Sequence, residues 1–167
     1  DIERVRKWRN SDHVRLQMMN SDLIPQGEQV KWFCRSEEAG ERHFIYSYHG
    51  VDVGVVSLKP GGTSDSFEGG IYCGELAFAK HHVNFHALVW LYDLGFDSQM
   101  MRFAVARVLE DNYSALRINK YIGFSEVATG ERGIVTLRLE RASYFAARRE
   151  FSKFLEPLPG TNPSRFP

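Results

Sequence analysis

The stretch that most constrains the fold is residues 112–124, N-Y-S-A-L-R-I-N-K-Y-I-G-F, which carries the start and stop signals of a short helix. Asn112 has the side chain of an N-cap, and Ala115 follows at helical spacing. Gly123 stands where the end of a helix needs a residue that tolerates a left-handed backbone. Phe124 is expected to pack beneath the helix, and the small Ala115 leaves a flat place where a ligand could approach. The stretch therefore predicts a capped helix that leads into a strand.

Hydrophobic periodicity predicts helices and strands along the rest of the chain. A His49-Gly50 pair marks a tight hairpin between the first two strands. The other predicted elements are a helix through residues 2–8, a helix that carries Val14, Leu16, Met18 and Met19, a helix at 29–39, strands at 44–48, 51–58 and 71–78, a helix at 83–96, strands at 103–109, 125–129 and 134–139, and a final helix with Phe145, Phe151 and Phe154. The final helix is expected to be core or a homodimer face.

Composition favours one compact domain that acts on a small molecule. The chain has 167 residues, of which 43% are hydrophobic and 25% charged, enough for a sizeable core. We assign the domain to residues 1–155 and a Pro-rich tail, mobile or draped over the surface, to residues 156–167. The 21 basic and 21 acidic residues cancel, so neither nucleic acid nor an anionic membrane is expected as the main partner.

Cysteine usage points to a reducing compartment. Cys34 and Cys73 are the only cysteines, and the sequence has neither a CxxC motif nor a secretory signal. This predicts a cytoplasmic protein with two free thiols. No apolar run is long enough to span a bilayer. The sequence does not begin with Met, so residues upstream of Asp1 are expected.

Several short motifs in this order resemble the GCN5-related N-acetyltransferases. They are W-R-N at 8–10, V-R-L-Q-M at 14–18, W-F at 32–33, V-G-V-V-S-L at 53–58 and G-I-Y-C-G at 70–74. Within that superfamily they look like the sugar-nucleotide N-acetyltransferases of the pseudaminic acid pathway and the ribosomal-protein N-acetyltransferases. The resemblance implies an α+β, three-layer fold with a mixed, mostly antiparallel, splayed sheet flanked by helices. The family's first strand would precede Asp1.

The resemblance also implies acetyl-CoA as cosubstrate, held where the sheet splays between the strands of Ile71 and Phe103. A glycine-rich pyrophosphate loop would fall on residues 79–84, where this chain has His82 and Asn84 at positions usually held by glycine. The cofactor-binding residues are then expected to be Leu76, Ala77 and Phe78 along the pantetheine arm, His82 and Asn84 in the loop, and Asn112 and Ala115 at the short helix.

The chemistry that the resemblance implies is direct transfer of the acetyl group to an uncharged amine. Asn119 stands where many members carry a Tyr that protonates the leaving thiolate, and an amide is not such an acid. Glu75 is the first candidate for a base and Glu68 the second, and either could instead be a solvated or ion-paired carboxylate. His82 and His86 share a helical face, but without an acidic or Cys ligand nearby in sequence no metal is expected.

The acceptor is expected to be a small-molecule amine that enters among the N-terminal helices. Arg9, Met18 and Trp32 are the predicted acceptor-binding residues, and the basic and aromatic residues of these helices favour a nucleotide-linked amino sugar. Two alternatives are a catalytically degenerate relative that binds a ligand or partner, and a protein N-terminal acetyltransferase, which would need an open acidic groove.

Overall fold

A six-stranded sheet with the order β1-β2-β3-β4-β6-β5 forms the centre of the protein. The computed structural model describes residues 1–97, 100–127, 131–151 and 155. The strands are β1 (Arg42–Tyr48), β2 (Val51–Pro60), β3 (Ser66–Cys73), β4 (Phe103–Leu109), β5 (Ser125–Val127) and β6 (Ile134–Glu140). The helices are α1 (Ile2–Asn10), α2 (Asp12–Arg15), α3 (Glu28–Glu38), α4 (Val83–Asp97), α5 (Tyr113–Tyr121) and α6 (Arg141–Phe151), and Leu76–Phe78 forms a 3₁₀ turn.

The sheet consists of two antiparallel halves that meet at one parallel pair of strands. Strands β1, β2 and β3 pair antiparallel, as do β4, β6 and β5, whereas β3 and β4 are parallel. The parallel pairing joins only residues 66–68 to residues 103–105. Beyond it, residues 69–73 and 106–109, all described, do not pair with each other, so the sheet opens. The predicted mixed, mostly antiparallel, splayed sheet is confirmed.

The main hydrophobic core lies between the sheet and helices α4 and α6. Leu91, Phe96 and Tyr144 are fully buried there, and the Tyr144 hydroxyl donates to the Val89 carbonyl at 3.0 Å. Helices α1 and α3 pack against each other, and α1 also contacts β2. Because side chains alternate along a strand, the residues of β3 face these two layers in turn. No helix of the described residues is both long and apolar enough to cross a membrane.

Several local predictions are confirmed. His49 and Gly50 both have positive φ angles, 48° and 78°, as a tight hairpin turn requires. The Asn112 side chain accepts a hydrogen bond from the Ala115 backbone N–H at 3.1 Å, which makes it the N-cap of α5. Gly123 has φ 108° immediately past the end of that helix.

Two predicted elements are wrong. The third strand ends at Cys73 rather than at residue 78, because the N–H groups of Gly74 and Glu75 both bond back to the Val53 carbonyl and turn the chain out of the sheet. The second helix is only the four residues of α2, and Leu16, which was expected in it, is 55% exposed. The predicted tail at 156–167, Phe154 and residues 128–129 of the predicted fifth strand lie outside the described residues.

Candidate active site

A cavity of about 1790 Å³ passes through the opening in the sheet. Residues 69–73 of β3 and 106–109 of β4 border it on either side of the splay. Helix α5 lines one end, and helices α1 and α3 line the other. The predicted site residues that border this single cavity are Arg9, Met18, Trp32, Leu76, His82, Asn84, Asn112, Ala115 and Asn119. Glu75, Ala77 and Phe78 do not border it.

At the α5 end, the two asparagines hold the start of the helix in place. The Asn112 side chain caps the Ala115 N–H, and the Asn119 amide donates to the Ala115 carbonyl at 2.8 Å. Asn119 is 8% exposed and Tyr121, two positions on, is 57% exposed. Both residues border the cavity. Asn119 presents an amide there, which donates a hydrogen bond and does not release a proton at ordinary pH.

The segment before α4 is closed by its own hydrogen bonds. In the 3₁₀ turn, the Phe78 N–H donates to the Glu75 carbonyl, and the Phe78 carbonyl accepts from the Asn84 side chain at 2.7 Å. The other end of the Asn84 amide accepts from the Tyr46 hydroxyl at 2.6 Å. Asn84 thus ties the turn to α4 and to β1. The residues expected to hold the pantetheine arm form this turn and not a strand edge.

The start of α4 differs from a glycine loop in two ways. The Val83 N–H donates to His81 Nδ1 at 3.2 Å, so an imidazole occupies one of the amides that a phosphate would use. Among the described residues, His49 is the only non-glycine with positive φ, so the loop reaches the helix without a left-handed residue at His82 or Asn84. The rings of His81 and His82 lie 4.1 Å apart, and Lys80 borders the cavity beside them.

The α1 and α3 end of the cavity carries aromatic and basic side chains. The Trp32 ring lies 4.8 Å from the His43 ring. His43 Nε2 is 2.6 Å from the Ser36 hydroxyl and 3.2 Å from Glu41. Burial lowers the pKa of His43, and Glu41 opposes that shift only in part. His43 is therefore neutral at physiological pH and supports the Trp32 wall of the cavity.

The two candidate bases lie in different surroundings. The Glu75 carboxylate is exposed and accepts from the indole N–H of Trp8 at 2.8 Å. Trp8 is 5% exposed and packs so closely on Gly74 that an added Cβ there would meet the indole at 2.2 Å. Glu68 borders the cavity at the last residue of β3 that pairs with β4, with Arg107 at 3.7 Å. Glu75 thus anchors α1, and Glu68 faces the cavity.

Sequence reasoning missed Tyr72 and Gln29, which also border the cavity. The Tyr72 hydroxyl, Gln29 Oε1 and Arg9 Nη1 are buried without a hydrogen-bond partner among the described residues. Burial raises the pKa of Tyr72 and lowers that of Arg9. Strand alternation in G-I-Y-C-G could have indicated Tyr72, since its neighbour Ile71 is apolar. Gln29 has no comparable signal in the sequence.

The splayed mixed sheet, with helices on both faces and a cavity through the splay, is the fold of the GCN5-related N-acetyltransferases. No protein-family model and no curated protein sequence matches the chain. Solved structures with this fold do match.

Three solved acetyltransferases illustrate the similarity. The aminoglycoside acetyltransferase AAC(6')-Ib, in complex with ribostamycin and coenzyme A, superposes with a TM-score of 0.76 at 14% identity, covering 89% of this chain and 92% of that one. FdhC, a nucleotide-linked sugar GNAT, gives 0.74 at 17% identity over 93% and 90% of the two chains. The ribosomal-protein-alanine N-acetyltransferase of Brucella melitensis gives 0.63 at 15% identity over 81% and 88%. At these identities the likeness shows the fold.

Proposed function

We propose that the protein is an N-acetyltransferase that moves the acetyl group of acetyl-CoA directly to the amine of a small molecule. The observation that carries the proposal is the cavity that passes through the sheet at the splay of β3 and β4. One ligand can enter beside α5 and the other beside α1 and α3, so that they meet between the strands. Such positioning supplies much of the rate of a direct transfer.

The residues around the splay fit the pantetheine arm of acetyl-CoA. Residues 69–73 of β3 have no strand partner among the described residues on the side of β4, and a free strand edge binds an extended amide-containing chain through backbone hydrogen bonds. This edge replaces the 3₁₀ turn at Leu76–Phe78 as the proposed site. Ala115 leaves space beside α5. Lys80 and the N-terminus of α4 offer positive charge for the phosphates.

Glu68 is the base that we propose, because it borders the cavity where the strands part. It would take a proton from the ammonium form of the acceptor, and the free amine would attack the thioester carbonyl. The new C–N bond forms as the C–S bond breaks and the thiolate leaves. The proton that the attacking nitrogen then gives up passes through solvent to the thiolate, so that the products are the amide and the thiol. Backbone N–H groups of the β3 edge would polarise the carbonyl. Acetyl-CoA supplies the activated acyl group.

For the acceptor we propose a nucleotide-linked amino sugar. The acceptor end of the cavity offers a guanidinium from Arg9, the indole of Trp32 and the flexible Met18. Cations and aromatic rings suit the diphosphate and the base of a nucleotide. The similarity to FdhC, itself a nucleotide-linked sugar GNAT, agrees with this choice.

Calorimetric titration with acetyl-CoA tests the cosubstrate first. We expect the parent to bind acetyl-CoA and Ala115→Leu to lose that binding, because the larger side chain fills the space beside α5. Lys120→Leu, an exposed change on the same helix, should bind as tightly as the parent. Thiol release is then followed with UDP-glucosamine, free glucosamine and a peptide with a free N-terminus. Failure of the parent to bind acetyl-CoA would overturn the proposal. Turnover of the peptide alone would replace the sugar acceptor with a protein N-terminus.

Two features favour a second function, in which the protein binds a ligand. Asn119 stands in place of an acid, and the His81 imidazole accepts a hydrogen bond from the first backbone N–H of α4. Both fit a relative that binds a ligand without acyl transfer. Acetyl-CoA binding without thiol release for any acceptor would support this second function, as would binding of an acceptor without acetyl-CoA.

A further inference from the structure

The acceptor end of the cavity contains three polar atoms that form no hydrogen bond with the described part of the chain. They are Arg9 Nη1, the Tyr72 hydroxyl and Gln29 Oε1, each buried and without a hydrogen-bond partner among the described residues. All three residues border the cavity. Gln29 is only 3% exposed, and a buried carboxamide oxygen in a folded protein nearly always accepts a hydrogen bond. A partner from outside the chain would satisfy all three.

These atoms lie on the acceptor side of the sheet. Ile71 packs against the hydrophobic core under α4, so the next residue, Tyr72, points to the opposite face. Arg9 belongs to α1 and Gln29 to α3, the two helices that cover that face. Asn112 and Ala115 of the proposed cosubstrate site lie at the other end of the cavity, and along β3 the pantetheine arm would use backbone groups and not the Tyr72 side chain. A ligand that uses the three atoms is therefore the acceptor and not acetyl-CoA.

Burial without a counter-ion distinguishes Arg9 from the other cations at this end of the cavity, of which Arg35 is exposed. Lys59 lies 3.7 Å from Glu41, and Arg107 lies 3.7 Å from Glu68. No described carboxylate lies within 4.0 Å of the Arg9 guanidinium. Arginine stays charged even when burial lowers its pKa. A buried guanidinium without a counter-ion is costly, and its planar fork matches the oxygens of a phosphate.

We infer that the acceptor carries a phosphate or diphosphate that Arg9 and Tyr72 bind, and a hydroxyl or N–H that donates to Gln29. The Tyr72 hydroxyl donates to a phosphate oxygen beside the guanidinium. Gln29 Oε1 accepts from a sugar or a nucleotide base. This inference rests on the proposed function and adds to it the residues that would bind each part of the acceptor.

The test is calorimetric titration of the full chain, saturated with coenzyme A so that the cosubstrate phosphate site is filled. UDP, dTDP and GDP are titrated separately, because the inference concerns the diphosphate and not the base. At least one should bind the parent. Arg9→Gln should weaken that binding about 10- to 100-fold, as expected for hydrogen bonds to a charged group, and Tyr72→Phe by about 2- to 10-fold. Lys7→Gln, the same charge change at an exposed position of α1 outside the cavity, should leave it unchanged.

The affinity of each variant for coenzyme A, measured in parallel, shows that the variant is folded. Arg9→Lys should retain part of the nucleotide binding because it keeps the positive charge. No nucleotide binding by the parent overturns the inference, as does equal binding by parent and Arg9→Gln. If the protein acetylated only amines that carry no phosphate, the inference would be overturned and the proposed acetyl transfer would stand. If coenzyme A itself does not bind, the proposed function fails, and the nucleotide titrations without it still test the role of Arg9.

Discussion

Replacement of Glu75 separates an anchoring role from a catalytic one. Its carboxylate accepts from the indole N–H of Trp8 at 2.8 Å, outside the cavity. Glu75→Ala would leave that N–H without its partner. An unsatisfied buried donor costs about 1–3 kcal/mol, and because Glu75 is exposed, water can take over part of its role, so we expect about 1 kcal/mol. For a domain of this size that corresponds to a fall in Tm of about 2–4 °C. Glu75→Gln keeps an acceptor and should cost less.

The assay pairs thermal unfolding with the rate of thiol release for the acceptor that turns over. Loss of a general base costs about 100- to 10,000-fold in rate, and we expect that loss in Glu68→Gln but in neither Glu75 variant. A Glu75→Ala variant with the Tm of the parent would refute the anchoring role. A rate lowered about 100-fold in Glu75→Gln would restore Glu75 as the base.

Three further perturbations test the fold and the cofactor loop. Gly95→Ala should lower the free energy of unfolding by about 1–3 kcal/mol in denaturant titrations, because its Cβ would lie 2.4 Å from the Phe67 ring; Gly62→Ala, with nothing within 4 Å, is the control that should lose far less. Folding lowers the pKa of His43, so the unfolded chain binds the proton more readily and the free energy of unfolding should fall as the pH drops below about 6.5. His43→Gln should make that fall smaller. Equal profiles of unfolding free energy against pH for the parent and the variant would contradict this. Asn84→Gly should destabilise the protein by about 1–3 kcal/mol, because the hydrogen bonds of the Asn84 side chain are lost. It should not tighten the binding of acetyl-CoA measured by calorimetry. Tighter binding would show that the lack of a glycine at this position limits the affinity.

Much of the candidate site could be predicted because the order of elements was correct. Placing the strands and helices in the right sequence brought Arg9, Trp32, Ala115 and Asn119 to one cavity, although they are far apart in the chain. The wrongly predicted end of β3 affected where the site residues were expected. Extending β3 to residue 78 placed the pantetheine edge on the 3₁₀ turn and the Glu75 carboxylate beside the thioester.

The local sequence by itself determined the N-cap at Asn112, the glycine past the end of α5 and the hairpin turn at His49-Gly50. Each depends on atoms within about four positions, so the residue types suffice to specify the conformation. Only the tertiary structure decided the end of β3, where the N–H of Gly74 finds the Val53 carbonyl, and the pairing of Glu75 with Trp8. Those contacts, like the unpartnered polar atoms of the acceptor side, arise between residues distant in sequence, and their energies exist only once the sheet and helices have packed together.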